Sequence, residues 1–227
     1  MVVLHYISVI SLLMGGISAL IILIDILLGN RQQMMIMNFV YPITGLYASI
    51  FALLFYFKVG RKSVVKSSIM PKDSMESQKK PFWQSVAIGT LHCGSGCTIG
   101  DILAEIFLLF IPVVVFGSSL IGSWIIDYIS AFLVGIFFQY FSIKPMKKLS
   151  PGKALKAALK ADSLSLSFWQ LGMYGWMAIA FFLIFKQRLE ANDDMFWWMM
   201  QIGMLLGFCT AFPINWWLIK KGIKEKM

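Results

Sequence analysis

Residues 1–29 read MVVLHYISVISLLMGGISALIILIDILLG, an apolar run with no lysine or arginine in it. The hydrocarbon layer of a bilayer is about 30 Å thick and an α-helix rises about 1.5 Å per residue, so roughly 20 apolar residues cross it. This run is long enough. It lacks the basic start of a secretory signal and outruns a signal core, so it reads as a retained span. His5 reads as an interfacial side chain at its beginning. Asp25 reads as a carboxylate reaching for the headgroups near its far end.

The same pattern recurs along the chain. Further spans are expected at about 35–57, 83–116, 120–143, 164–185 and 196–219. The chain is 59% hydrophobic and 14% charged, against about 25% charged in a soluble domain. Lipid must cover such a surface. The expectation is an all-α, polytopic bundle of about six transmembrane helices, one membrane domain over residues 1–227. Pro42, inside the second span, is a kink position. The third stretch, Trp83 to Phe116, would be about 50 Å long as a straight helix. It must therefore tilt, extend beyond the hydrocarbon or break, and Gly89, Gly94, Gly96 and Gly100 mark the place for a break.

Charge then gives a direction. The segment 58–82 has seven basic residues and two acids, and 144–163 has six lysines and one acid, so each carries +5. The tail from Lys220 is also basic, whereas the other connections are short and nearly neutral or acidic. Basic connections stay in the cytoplasm, so both termini are expected inside, in the cell (inner) membrane. Ser150-Pro151-Gly152 starts a short helix in the second basic segment. Its Leu155, Ala158 and Leu159 would lie on headgroups, or the segment is a solvated connector. The net charge of +9 is thus assigned to orientation and to anionic lipid headgroups as partners. Nucleic acid is not expected, because no aromatic-basic motif lies outside the spans. Trp83, Trp176, Trp197, Trp198, Trp216 and Trp217 fall near expected interfaces, as an aromatic belt does.

The segment most informative about chemistry is Gly89-Thr-Leu-His92-Cys93-Gly94-Ser95-Gly96-Cys97-Thr98-Ile99-Gly100-Asp101, followed by Glu105. Cys93, Cys97, Asp101 and Glu105 recur every four residues, one stripe on a helix. An ionised group at membrane depth costs at least ~2.5 kcal/mol on insertion scales, so these need partners or water. Three readings compete. Thiolates, thioethers and imidazole suit a soft metal, copper or zinc, held by His92, Cys93 and Cys97, with Met173, Met177, Met200 and Met204 as further ligands. Asp101 and Glu105, with Asp127 of the fourth span, would tune charge or take up protons. Alternatively the acids form the path of a proton- or ion-coupled small-solute transporter, or the protein is a structural component of a membrane complex. The third reading is a thiol-redox protein or enzyme, which needs a broken helix because cysteines four apart in a helix pair poorly. The three cysteines, Cys93, Cys97 and Cys209, all lie in apolar stretches and form no secreted disulfide framework. Nucleophile-elbow, zinc-protease, phosphate-loop and dinucleotide motifs are absent from the sequence, so no catalytic residue is assigned.

His92-Cys93-Gly94-Ser95-Gly96-Cys97-Thr98-Ile99-Gly100-Asp101 resembles the signature of a bacterial membrane family, domain of unknown function 4396. Lys160-Ala161-Asp162-Ser163-Leu164-Ser165-Leu166, Gly172-Met173-Tyr174-Gly175-Trp176, the stretch from Met200 through Pro213-Ile214-Asn215-Trp216, and Gly222-Ile223-Lys224-Glu225 resemble it too. The similarity runs from about Tyr41 to the C-terminus. It implies a prokaryotic membrane protein and supplies no activity. Copper-related names among similar proteins weigh towards the soft-metal reading, which is the preferred expectation.

Overall fold

A computed structural model describes residues 2–32, 34–61, 81–147 and 149–226. Most of the basic segment 58–82 lies outside the described residues, as does Lys148. The chain folds as α1 (Val2–Leu27), α2 (Met37–Phe55) prolonged by a π-helical turn (Tyr56–Gly60), α3 (Phe82–Phe110), α4 (Ser119–Lys147), α5 (Pro151–Ile179) prolonged by a second π-helical turn (Ala180–Ile184), and α6 (Asp194–Lys220). No strand occurs among the described residues. Six helices are long and apolar enough to cross a membrane, and the chain is a multi-pass membrane protein.

The glycine cluster does not break the third helix. α3 runs without interruption from Phe82 to Phe110, about 43 Å, and so extends beyond the hydrocarbon. Its end is set by Pro112, which disfavours helical backbone in the residue before it. Ile111 accordingly leaves the helix at φ −131°, ψ 85°. A tight turn over Val115–Ser118, with Phe116 and Gly117 at positive φ, leads into α4. The glycines serve packing instead. A Cβ on Gly96 would sit 2.6 Å from the Cα of Gly135, one on Gly100 would collide with the backbone of Ala131, and one on Gly94 would enter the Trp169 ring. α3 therefore lies against α4 at backbone distance and against the Trp169 side chain of α5, and it touches α2 and α6 as well. It is the central helix.

The short helix expected after Ser150 is not separate from the fifth span. Pro151 starts one helix that continues to Ile179. Its buried face is built from Ala154, Ala158 and Ala161, while Leu155 and Leu159 face outward, 47% and 39% exposed. Small residues let this turn pack into the bundle.

α2 reaches its length by doubling back. Ser49 sits at φ 46°, ψ −121° within it, and Pro42 is not the point of reversal. The rings of Tyr41 and Tyr56 meet at 5.2 Å between centroids, although a straight helix would hold those residues roughly 22 Å apart. A Cβ on Gly60 would likewise lie 3.0 Å from the Tyr41 ring. The tip of this hairpin packs at the middle of α1, with Gly45 on Ala19 and Leu46 on Gly15. Both ends of the hairpin lie beside the C-terminal end of α1. Asp25 is no free headgroup ligand there: it accepts from the Tyr56 hydroxyl at 2.8 Å and pairs with Arg61 at 3.3 Å. The start of α1 meets the start of α6, where His5 Nδ1 is 2.8 Å from Asp194 Oδ1 and Ser8 donates to the same carboxylate. Gln201 of α6 donates to the hairpin-tip carbonyl of Leu46 at 2.6 Å and accepts from Ser11 at 2.7 Å.

The glycine contacts give a direct test. Gly100→Leu forces α3 and α4 apart, and overpacking costs about 1–3 kcal/mol, or several degrees of melting temperature in a chain of this size. Gly175→Ala, where nothing lies within 4 Å of the new Cβ, should melt with the wild type. Thermal unfolding of both purified variants in detergent checks the difference.

Candidate functional site

The polar residues of α3 leave the helix in several directions. His92 turns to α4, where its Nε2 is 3.4 Å from Ser142 Oγ and its ring tilts against Phe138. Ser95 donates to the hairpin carbonyl of Val40 at 3.1 Å. Thr98 donates to the sulfur of Met204 at 3.6 Å. Asp101 turns to α5, where its Oδ1 accepts from Gln170 Nε2 at 2.9 Å. Glu105 and Asp127 of α4 are both buried and line one cavity.

Arg188 closes this end of the site. Its guanidinium donates to Ser119 at 2.7 Å and to Ser123 at 3.2 Å. With Glu105, Asp127, Met173, Met177 and Met200 it lines a cavity of about 10 Å³. That is close to the room needed by one water molecule. It is too small for an organic solute or a hydrated ion. Arg188 also supplies the counter-charge that an ionised Glu105 or Asp127 needs.

At the opposite end of α3 the buried groups continue. Lys224 Nζ is 2.5 Å from Asp162 Oδ1 of α5 and 3.3 Å from the carbonyl of Gly89. Asn215 of α6 donates to Ser165 at 2.6 Å. Gln139 is fully buried on α4, one turn before Ser142. Its amide, Asp101 Oδ2 and Asp162 Oδ2 have no hydrogen-bond partner among the described residues. A buried polar atom without a partner costs about 1–3 kcal/mol, so each marks a place where a proton or a water molecule has something to bond. From Gly89 to Glu105 the helix rises about 24 Å. Titratable or hydrogen-bonding side chains accompany it over that whole length.

The expected soft-metal set does not assemble. Among the described residues no three His, Cys, Asp or Glu side chains group as metal ligands would. Cys93 and Cys97 are buried and within hydrogen-bond reach of each other, but His92 points to α4. The Met204 sulfur accepts from Trp169 Nε1 at 3.3 Å as well as from Thr98. Met173, Met177 and Met200 share their cavity with the Arg188 guanidinium and with two carboxyls, those of Glu105 and Asp127. Of the acids, Glu105 and Asp127 line one cavity, whereas Asp101 is buried against Gln170. Gln170, Arg188, Asp162 and Lys224 were not expected as members. A glutamine inside an apolar span was a usable signal for the first. The other three read in the sequence as loop and tail charges.

Fold and site together define an all-helical, multi-pass membrane protein whose central helix carries buried acids. The sequence model of the domain of unknown function family DUF4396 matches residues 82–224, from the first residue of α3 to the buried tail lysine. The chain belongs to that family. α1 and the α2 hairpin lie outside the matched region. No curated protein and no solved structure matches the chain.

The Asp101 contact predicts a contrast in stability. Asp101→Asn keeps a partner for Gln170 and should melt close to the wild type. Asp101→Leu leaves the buried amide unpaired, which costs about 1–3 kcal/mol. Melting curves of the two variants, compared in one detergent, test it.

Proposed function

We propose that this protein moves protons across a bacterial cell membrane along the file of buried polar groups beside α3. The file supports this reading because its members change from ion pair to imidazole to carboxyls over the thickness of the hydrocarbon layer. On this reading Glu105 and Asp127 exchange a proton at the Arg188 end, Asp101 relays it, and His92 carries it towards Asp162. Gln170 positions Asp101 and does not itself titrate. The size of the cavity beside Glu105 and Asp127, about 10 Å³, supports a proton carried on water as the cargo.

The contacts of α1 and the hairpin support an orientation as well. If the hairpin enters and leaves on one face, the chain crosses five times and its termini lie on opposite faces. The basic segments and the C-terminal tail then share the cytoplasmic face. The N-terminus faces outward, unlike the arrangement in which all six apolar segments cross.

Reconstituted in liposomes under a potassium-diffusion potential, the protein should acidify the lumen faster than protein-free vesicles do, as read by an internal pH dye. Asp101→Asn should slow that flux roughly 100-fold, the scale of a lost acid–base group. Flux no faster than in protein-free vesicles rejects the reading. For the orientation, cysteines placed at Val3 and at Lys226 in a Cys209→Ser background should react with an impermeant maleimide from opposite sides. Reaction of both from the same side rejects the five-crossing arrangement.

A further inference from the structure

Lys224 is the fourth residue after the last helix, where a lysine would ordinarily be fully hydrated. Instead it is 1% exposed. α6 ends in a reversal centred on Gly222, at φ 69°, with Ile223 N bonded to Leu218 O at 3.0 Å and Gly222 N to Ile219 O at 3.1 Å. This glycine-centred cap turns the chain back onto the bundle. The ammonium then passes between α3 and α5, reaching Asp162 Oδ1 at 2.5 Å and the Gly89 carbonyl at 3.3 Å. The pair is wholly buried, at 0% exposure for both side chains. Lys226, two residues on, lies over the Phe82 ring at 5.4 Å, so the tail crosses the end of α3.

A buried ion pair is a poor stabiliser, because desolvating the two charges offsets most of their attraction. Its better-attested use is to fix one arrangement out of two. The alternative here is simple: the tail swings into water, Lys224 regains its hydration, and Asp162 faces the aqueous phase. His92 lies one helical turn deeper than Gly89, so the tail stands between water and the imidazole. A fixed positive charge at that point also opposes entry of a cation.

We propose that the C-terminal tail is a plug, with Lys224 as the latch that closes this end of the polar file. The plug itself rests on the contacts of Lys224; its regulation of proton flow rests on the function proposed above. Opening breaks the Lys224–Asp162 pair and the bond to Gly89, and exposes Asp162, His92 and Ser142.

Two measurements separate the plug from the proton pathway. The first uses Ser142→Cys in a Cys209→Ser background, with a cationic methanethiosulfonate added on the tail side. Lys224→Met should raise the rate of labelling about tenfold, the effect of about 1.4 kcal/mol on the opening step. Lys224→Arg should stay slow. The exchanged pair Lys224→Asp with Asp162→Lys should also stay slow, and it serves where Lys224→Met alone does not fold. The second measurement is proton flux, which should rise in Lys224→Met. Labelling no faster in Lys224→Met than with Lys224 intact, or fast in the exchanged pair, overturns the plug. Faster labelling with no flux in either protein supports the plug and rejects the proton pathway. Flux in the wild type that Lys224→Met leaves unchanged, with labelling unchanged too, rejects the plug and leaves the pathway standing.

Discussion

Close contact between α3 and its neighbours governs where the acids of that helix, Asp101 and Glu105, can go. In lipid, helices gain nothing from hiding apolar surface from one another. Close packing and hydrogen bonds between helices must hold them together. Gly94, Gly96 and Gly100 bring α3 against the Trp169 ring, Gly135 and Ala131. At that separation a short side chain spans the gap between helices. Asp101 reaches Gln170 directly, and Glu105 lines one cavity with Asp127. With bulkier residues at the glycines, the helices would stand further apart and the same carboxyls would face each other across unfilled space. Ionised there, each would cost at least ~2.5 kcal/mol. Glycines and acids are therefore one device, and neither has its present meaning without the other.

The two ends of the file manage charge differently. At one end an arginine held by two serines shares a cavity with two acids. At the other a lysine is locked to a single aspartate with both side chains wholly buried. The second arrangement changes only if the pair separates. In the proposed pathway the ion pair would limit access while the acids handle the proton, which gives control an inherent direction.

How much of this could be read from the sequence depended on whether the signal was periodic. The lengths and apolar character of the helices follow from hydropathy, and the stripe of Asp101 and Glu105 follows from spacing by four. The glycine cluster was ambiguous, since the same residues permit either a break or a close approach. The neighbours decide between them, and the sequence does not say which neighbours arrive. Lys224 and Asp162 look like ordinary members of basic segments, and only the reversal at Gly222 buries the lysine. The soft-metal expectation finds no support for a similar reason. Adjacent His92 and Cys93 point about 100° apart on a helix, so proximity in sequence placed them on different neighbours.

The doubling of α2 is the case where two sequence signals looked like one. Hydropathy counts apolar residues, and a hairpin whose arms each reach the middle of the bilayer contains as many as a span. Ser49 carries no signature, because nothing about serine announces a positive φ. The charge pattern cannot detect the reversal either. In the proposed five-crossing arrangement the basic segments and the tail still share one face, and Arg31 joins them. Only the N-terminus changes side, and residues 1–29 contain no lysine or arginine to report it. The alternation of basic and neutral connections was thus equally consistent with five crossings and six. What favours the proposed five crossings is contact: a tyrosine pair that no straight helix could form, and a histidine at the start of α1 bonded to an aspartate at the start of α6.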